Sequence, residues 1–196
     1  MKNRIQQCRT FRIFKEDQRI RDEFLFELID GARLGGSARN CQPWQYLPVA
    51  DKALCEKIFP SLGWAGYLSD WSGPAPGERP AAYLLCFLNT KWLKGPETEA
   101  SFDLGVASQN MLLMALEQGV GGCRVGTFNS KITDLFSLPD YLQLKLVIAL
   151  GVPAETVVLE EGRDESDIRY WRDDKGVHHV PKRKCTDIVL PQVLAD

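Results

Sequence analysis

A three-layer α-β-α fold of the α+β class, with a central mixed sheet between helices, follows from three features of this sequence. A continuous apolar run, residues 81–88, and a mostly apolar segment, residues 144–150, have the length of strands buried on both faces. Two longer segments, residues 17–34 and 98–118, carry apolar side chains at the i, i+3 and i+4 spacing of a helix that buries one face. The two kinds of segment alternate imperfectly, which puts helices on both faces of the sheet.

In the first helix the stripe is Ile20, Phe24, Leu25, Leu28, Ile29 and Ala32. Gly35-Gly36 stops it, because glycine accepts the left-handed conformation of a helix end. A short strand at 46–49 and a short helix at 52–59 follow; residues 61–71 show no dominant period. Residues 72–80, rich in Gly and Pro, form a loop. The run 81–88 is bounded by Pro80 and Asn89-Thr90. Helix 98–118 presents Leu104, Ala107, Met111, Leu112, Ala115 and Leu116, and Gly119 ends it. Residues 122–128 read as a short strand or extended turn and 129–136 as a short helix. Gly151-Val152-Pro153 closes the second buried strand. Residues 168–170 and 177–179 flank Asp173-Asp174-Lys175-Gly176, a hairpin turn. The tail from Pro181 is basic and then apolar, and Ile188-Val189-Leu190 with Val193-Leu194 have no evident partner in their own chain. There is no internal repeat.

The 196 residues suit a single domain, 1–196. A net charge of −2 gives no reason to expect nucleic acid. The polar N-terminus lacks an apolar targeting segment, and the apolar runs are too short to span a bilayer, so a cytoplasmic protein without a membrane partner is expected. The six cysteines (8, 41, 55, 86, 123 and 185) show neither C-x-x-C nor zinc spacing; reduced thiols and no metal site are expected.

Three stretches carry chemistry. Arg9-Thr10-Phe11-Arg12 offers two guanidinium forks and a hydroxyl, a phosphate-binding set, or else a solvated basic arm. Lys182-Arg183-Lys184 is a second basic cluster; the two converging on one phosphate would account for both. Ser37-Ala38-Arg39-Asn40-Cys41-Gln42-Pro43-Trp44 combines two amides able to read the polar edge of a heteroaromatic ring with a rigid exit and a packing aromatic. Gly121-Gly122-Cys123-Arg124-Val125-Gly126 lets backbone amides approach a ligand, or makes a tight helix-to-strand connection. Asp103 reads as a charge favourable to a helix N-terminus. His178 and His179 read as surface residues of a polar hairpin. The Rossmann fingerprint is absent: Gly119-Val120-Gly121-Gly122 follows a helix instead of joining a strand to one.

Taken together, these stretches resemble the nitroreductase family over nearly the whole chain. The family's opening R-R-S-x-R-x-F matches Cys8-Arg9-Thr10-Phe11-Arg12-Ile13-Phe14, and its P-S-A-x-N-x-Q-P-W matches Gly36-Ser37-Ala38-Arg39-Asn40-Cys41-Gln42-Pro43-Trp44. Asp103-x-Gly105-x-Ala107-x-Gln109-Asn110-Met111 is similar to its central helix, residues 121–126 to its glycine-bearing strand, and Pro181-Lys182-Arg183 to its basic C-terminal motif.

The resemblance implies an FMN-bound, intertwined homodimer with flavins at the subunit interface. Arg9, Thr10, Arg12, Lys182 and Arg183 would hold the phosphate and ribityl chain. Gly36, Ser37, Ala38 and Asn40 would contact the ring from the partner subunit. Arg124, Val125, Gly126 and Thr127 would run past the ring, and Asp103 belongs to the same cofactor set. The implied reaction is ping-pong hydride transfer from NADH or NADPH, through FMN, to a nitroaromatic, a quinone or a similar electron-poor small molecule, without a catalytic acid or base. Alternatives within the same resemblance are a specialised flavin enzyme, for reductive dehalogenation or peptide-ring oxidation, and a non-catalytic flavin-binding protein. Cys8 and Gly36 depart from the pattern, removing one phosphate contact and loosening the loop. Arg124 stands where the family often has an apolar residue. It would recruit an anionic substrate or nicotinamide phosphate, serve as a plain flavin contact, or point away toward a carboxylate such as Glu117. Trp64, Tyr67 and Trp71 fall where the family varies its substrate cover, or are ordinary packing.

Overall fold

The computed structural model describes residues 1–164 and 166–191. Its centre is β2 (Ala82–Asn89), in which every residue is buried. β2 pairs with β1 (Trp44–Val49) on one side and with β4 (Leu142–Gly151) on the other; β3 (Gly121–Val125), paired with β4, completes the order β1-β2-β4-β3. All three pairings are antiparallel, with Tyr83 opposite Val49 and Ala149. The expected mixed character enters at the β3 edge, where Thr10 forms a parallel bridge to Gly122.

Because side chains alternate across a strand, β2 and β4 feed two cores. Ala82, Leu84, Cys86, Ile148 and Leu150 pack under α2 (Asp22–Arg33) and α4 (Glu97–Glu117), where Leu28 and Met111 are fully buried. Tyr83, Leu85, Phe87, Val147 and Ala149 face the other way, against α3 (Lys52–Ile58) and the single turns Phe59–Ser61 and Ser130–Leu135. These are the three expected layers. The predicted helix over 17–34 starts only at Asp22: Ile20 is buried ahead of it, and Asp22 and Glu23 supply the negative charge a helix N-terminus favours.

α4 is apolar on two faces. Leu104, Ala107, Met111 and Ala115 turn into the core, while Phe102 (76% exposed), Val106 and Met114 face outward. A helix apolar all round normally lies inside a structure.

A smaller sheet, absent from the sequence reading except for its hairpin, has β7 (His178–Lys182) at its centre, paired in parallel with β5 (Val157–Glu161) and antiparallel with β6 (Trp171–Arg172). The hairpin around Asp173 and Gly176 therefore pairs residues 171–172, not 168–170. A short N-terminal helix, α1 (Lys2–Gln7), and a terminal turn, α5 (Cys185–Ile188), also lay outside that reading. The tail residues Ile188, Val189 and Leu190 are exposed, and Val193 and Leu194 lie outside the described residues. Among the described residues no helix is long and apolar enough to cross a membrane, and all six cysteines are free thiols.

Candidate functional site

The segment between α1 and α2 runs beside β3, so Arg9, Thr10 and Arg12 stand next to the 121–126 glycine stretch. Phe11 donates its N–H to the Gly122 carbonyl at 3.1 Å, and a Cβ on Gly121 would collide with the Phe11 ring. Glycine at 121 is thus required by this close approach. Arg9 donates to the Ile5 carbonyl, and its Nε is buried without a partner. Thr10 is exposed. The Glu155 carboxylate, almost wholly buried, accepts the backbone N–H groups of Arg12 and Ile13 and pairs with Arg172 at 2.8 Å. The Arg12 guanidinium lies over the Tyr170 ring, 4.9 Å from its centre, and 3.3 Å from His178 Nε2.

Arg12 then opens into a cleft with Trp64 on one side and Cys123 to Thr127 on the other. Gly63 is tied to this wall, donating its N–H to the Thr127 carbonyl at 2.7 Å. Burial pushes the Cys123 thiol up to about 11, against the pull of Arg12 and Arg124. Arg124 projects from β3 across α4: Nε donates to Ser108 Oγ at 2.7 Å and Nη2 to Gln109 Oε1 at 2.9 Å. Partial burial lowers its pKa below the ordinary guanidinium value. It does not reach Glu117, the carboxylate considered for it, because Glu117 pairs with Arg4.

The 37–42 loop borders a separate hollow of ≈ 550 Å³, lined also by residues of α2, β1 and α4. Asp103 holds it: the carboxylate accepts from Ser37 Oγ at 2.7 Å and from the Ala38 N–H at 3.0 Å. Ser37 Oγ in turn accepts the Gln42 N–H at 2.9 Å. Arg39, Asn40 and Gln42 sit at φ of 54°, 50° and 50°, a left-handed region in which most side chains are strained. Reading Asp103 as a charge at the helix N-terminus fails, since α4 already begins at Glu97. The amides of Asn40 and Gln42, expected to face a ligand, bond to each other at 2.9 Å, and Trp44 Nε1 donates to the Ala100 carbonyl at 2.9 Å. Gly36 is exposed beside this loop.

Lys182 and Arg183 are exposed at the far end of β7. The β7 residue that Arg12 touches is His178, only 1% exposed. The surface reading of that histidine is therefore wrong. Successive strand residues point to opposite faces, so one of two adjacent histidines had to turn inward. His179 turns outward, stacked on Trp171 with 4.1 Å between ring centres and bonded to Glu160 and Asp173. Burial, then the neighbouring Arg12, Arg172 and His179, push His178 down to about 4. Tyr67 of the 61–71 segment packs against Tyr170 with the rings tilted and 5.0 Å between their centres, and Trp71 lies under Arg172. The sequence reading missed His178, Glu155, Tyr170 and Ser108. A polar Ser108 inside the apolar stripe of α4 was the one local signal among them.

The four-stranded sheet between helices is an architecture shared with solved structures of known proteins. The description "Nitroreductase family" matches residues 5–152, and the chain belongs to the nitroreductase family of oxidoreductases. A protein of Archaeoglobus fulgidus named for NADH dehydrogenase/NAD(P)H nitroreductase activity is 27% identical over 172 residues, covering 85% of this chain and 87% of its own. One of the same name from Methanothermobacter thermautotrophicus is 29% identical over 145 residues, 71% of each chain. Among solved structures, a nitroreductase in complex with FMN from Desulfovibrio desulfuricans superposes with a TM-score of 0.68 at 21% identity, covering 98% of this chain and 96% of that one. A nitroreductase family protein from Clostridium novyi NT gives 0.63 at 19% identity, covering 96% and 98%.

Proposed function

We propose that this chain is an FMN-dependent oxidoreductase that takes hydride from NADH or NADPH and delivers it to a small electron-poor acceptor, a nitroaromatic or a quinone. The observation that carries the reading is the cleft in which Arg12 and Arg124, neither ion-paired among the described residues, meet the exposed backbone of residues 126 and 127. Two uncompensated guanidinium groups beside accessible backbone suit a flat, anionic ligand. The buried, unpartnered Arg9 Nε and the exposed Thr10 hydroxyl extend the same donor set, so the residues present fit FMN.

Arg9, Thr10 and Arg12, with Lys182 and Arg183, would hold the phosphate and ribityl chain. Backbone N–H groups in the 124–127 stretch would meet the ring. Gly36, Ser37, Ala38 and Asn40 would close over it from a second subunit, with Asp103 fixing their loop. When bound, FMN supplies the hydride chemistry; the chain binds, orients and excludes water. The outward apolar face of α4, with Ile188, Val189 and Leu190 in the tail, supports an obligate homodimer.

The test is the absorption spectrum of the purified protein, followed under anaerobic addition of NADH or NADPH. About one FMN per subunit, bleached by either nucleotide and restored by a nitroaromatic or quinone, is expected. Protein that neither carries nor takes up FMN would sink the proposal; bound FMN that no nucleotide bleaches would leave only flavin binding.

A further inference from the structure

His178 has no role in the reading above, yet it is buried, only 1% exposed, against Arg12, a side chain that lines the cleft. Its ring lies 5.2 Å from Tyr170, and its backbone N–H is fixed by the Thr156 carbonyl at 2.8 Å. Nε2 is 3.3 Å from Arg12 Nη1. A guanidinium has only donors, so Nε2 must offer its lone pair and the neutral ring must carry its proton on Nδ1. The charged groups around the ring are Arg12 from the N-terminal segment, Arg172 from β6 and His179 from β7; Glu155, the nearby acid, is engaged by Arg172. Two guanidinium groups and burial all disfavour a charged imidazole. Arg12 itself makes no ion pair among the described residues.

We propose that His178 is a positioning residue of the cofactor site: as a neutral acceptor it orients the Arg12 guanidinium into the cleft without cancelling its positive charge. The inference rests on the proposed FMN site. An aspartate or glutamate here would orient Arg12 equally well but would neutralise it, leaving less charge for an anionic ligand. An apolar residue would leave the charge but not its orientation.

Two measurements test this. Nitrogen-15 NMR of the flavin-free protein at neutral pH should show His178 with Nδ1 protonated and Nε2 bare; the opposite tautomer overturns the proposal. FMN titration of the full chain then compares three variants, with circular dichroism confirming the fold. His178→Gln, which places a neutral oxygen near Nε2, should bind FMN within about threefold of the parent, and His178→Leu about tenfold or more weakly, the scale of one charge-assisted contact. His178→Glu, the same shape with a charge, should weaken FMN at least as much as His178→Leu and flatten the salt dependence of binding. Equal affinities for His178→Gln and His178→Glu, or full affinity in His178→Leu, overturn the positioning role. Should His178→Leu not fold, the Gln-against-Glu contrast and the tautomer still decide. A parent chain that takes up no FMN removes the proposed function as well, an outcome distinct from variants that all bind alike.

Discussion

Arg124 on β3 is pinned to Ser108 on α4 by a 2.7 Å bond from Nε to the serine hydroxyl, with Gln109 accepting from Nη2 at 2.9 Å. Both acceptors are neutral. The side chain is therefore fixed while its charge stays uncompensated, and it stands at the cleft that Arg12 enters. A surface arginine would ordinarily find a carboxylate; here Glu117 of α4 is occupied by Arg4.

That arrangement predicts selectivity by charge. Arg124→Leu should fold and still take up FMN, since the proposed phosphate contacts of Arg9, Thr10 and Arg12 remain, yet lose more kcat/KM toward a carboxylated nitroaromatic than toward a neutral one, because the fixed charge attracts the anion into the pocket. The difference should shrink at high salt. Steady-state kinetics with the paired substrates at two ionic strengths decide it: an identical ratio at both salts removes the electrostatic role.

Asp103 should prove to be the strut of the 37–42 loop. Asp103→Ala strands the Ser37 hydroxyl and the Ala38 N–H, and it leaves three left-handed non-glycine residues without their anchor. The expected loss is about 1–3 kcal/mol of stability, the cost of unsatisfied donors to a charged acceptor, together with weaker FMN binding. Asp103→Asn keeps one acceptor and should lose less of both. Urea denaturation measures the first and FMN titration the second; an unchanged midpoint in Asp103→Ala would mean that the loop holds itself.

Local pattern made the frame of this fold legible. The unbroken apolar run of β2 admits only a strand covered on both faces, and the stripe of Leu104, Ala107 and Met111 admits only a helix with one face inward. What joins distant segments was not legible by periodicity. Asp103 meets Ala38 across 65 residues and Arg12 meets Glu155 across 143, and no local period encodes such pairings. His178 is buried against Arg12 and Tyr170, partners that no local period encodes, and β5, the strand beside it, carried no recognised signal. The motif stretches fared better: residues 9–12 and 121–126, far apart in the chain, do lie side by side at the Thr10–Gly122 bridge.

The outward face of α4 predicts the state of assembly. Phe102 and Val106 are 76% and 46% exposed on a helix whose other face is core, an arrangement that a second copy of the chain would cover. Val106→Glu should shift the protein to monomer or to aggregates and release FMN, since the proposed site draws its 36–40 loop from the partner. Sedimentation velocity at low micromolar concentration reads this directly. A parent protein that sediments as a folded, FMN-loaded monomer contradicts the dimer.

The adjacent histidines should titrate in opposite directions. Hydrogen bonding to Glu160 is the main reason the His179 pKa rises above its ordinary 6.5; desolvation opposes it, and Asp173 adds to the rise. Burial is the main reason His178 falls to about 4. The signs follow by linkage. For His179 the folded protein binds its proton more tightly than the unfolded chain does, so its contribution is full below about pH 6.5 and is lost as pH climbs through the raised folded value. For His178 the folded protein resists the proton, so stability is lost as pH falls from about 6.5 toward 4. His179→Gln should flatten the alkaline limb of the stability profile and His178→Gln the acid limb. Imidazole NMR titration of the intact protein separates the two rings by their shifts. Two ordinary titrations near 6.5 would mean that neither the Glu160 contact nor the burial beside Arg12 holds in solution.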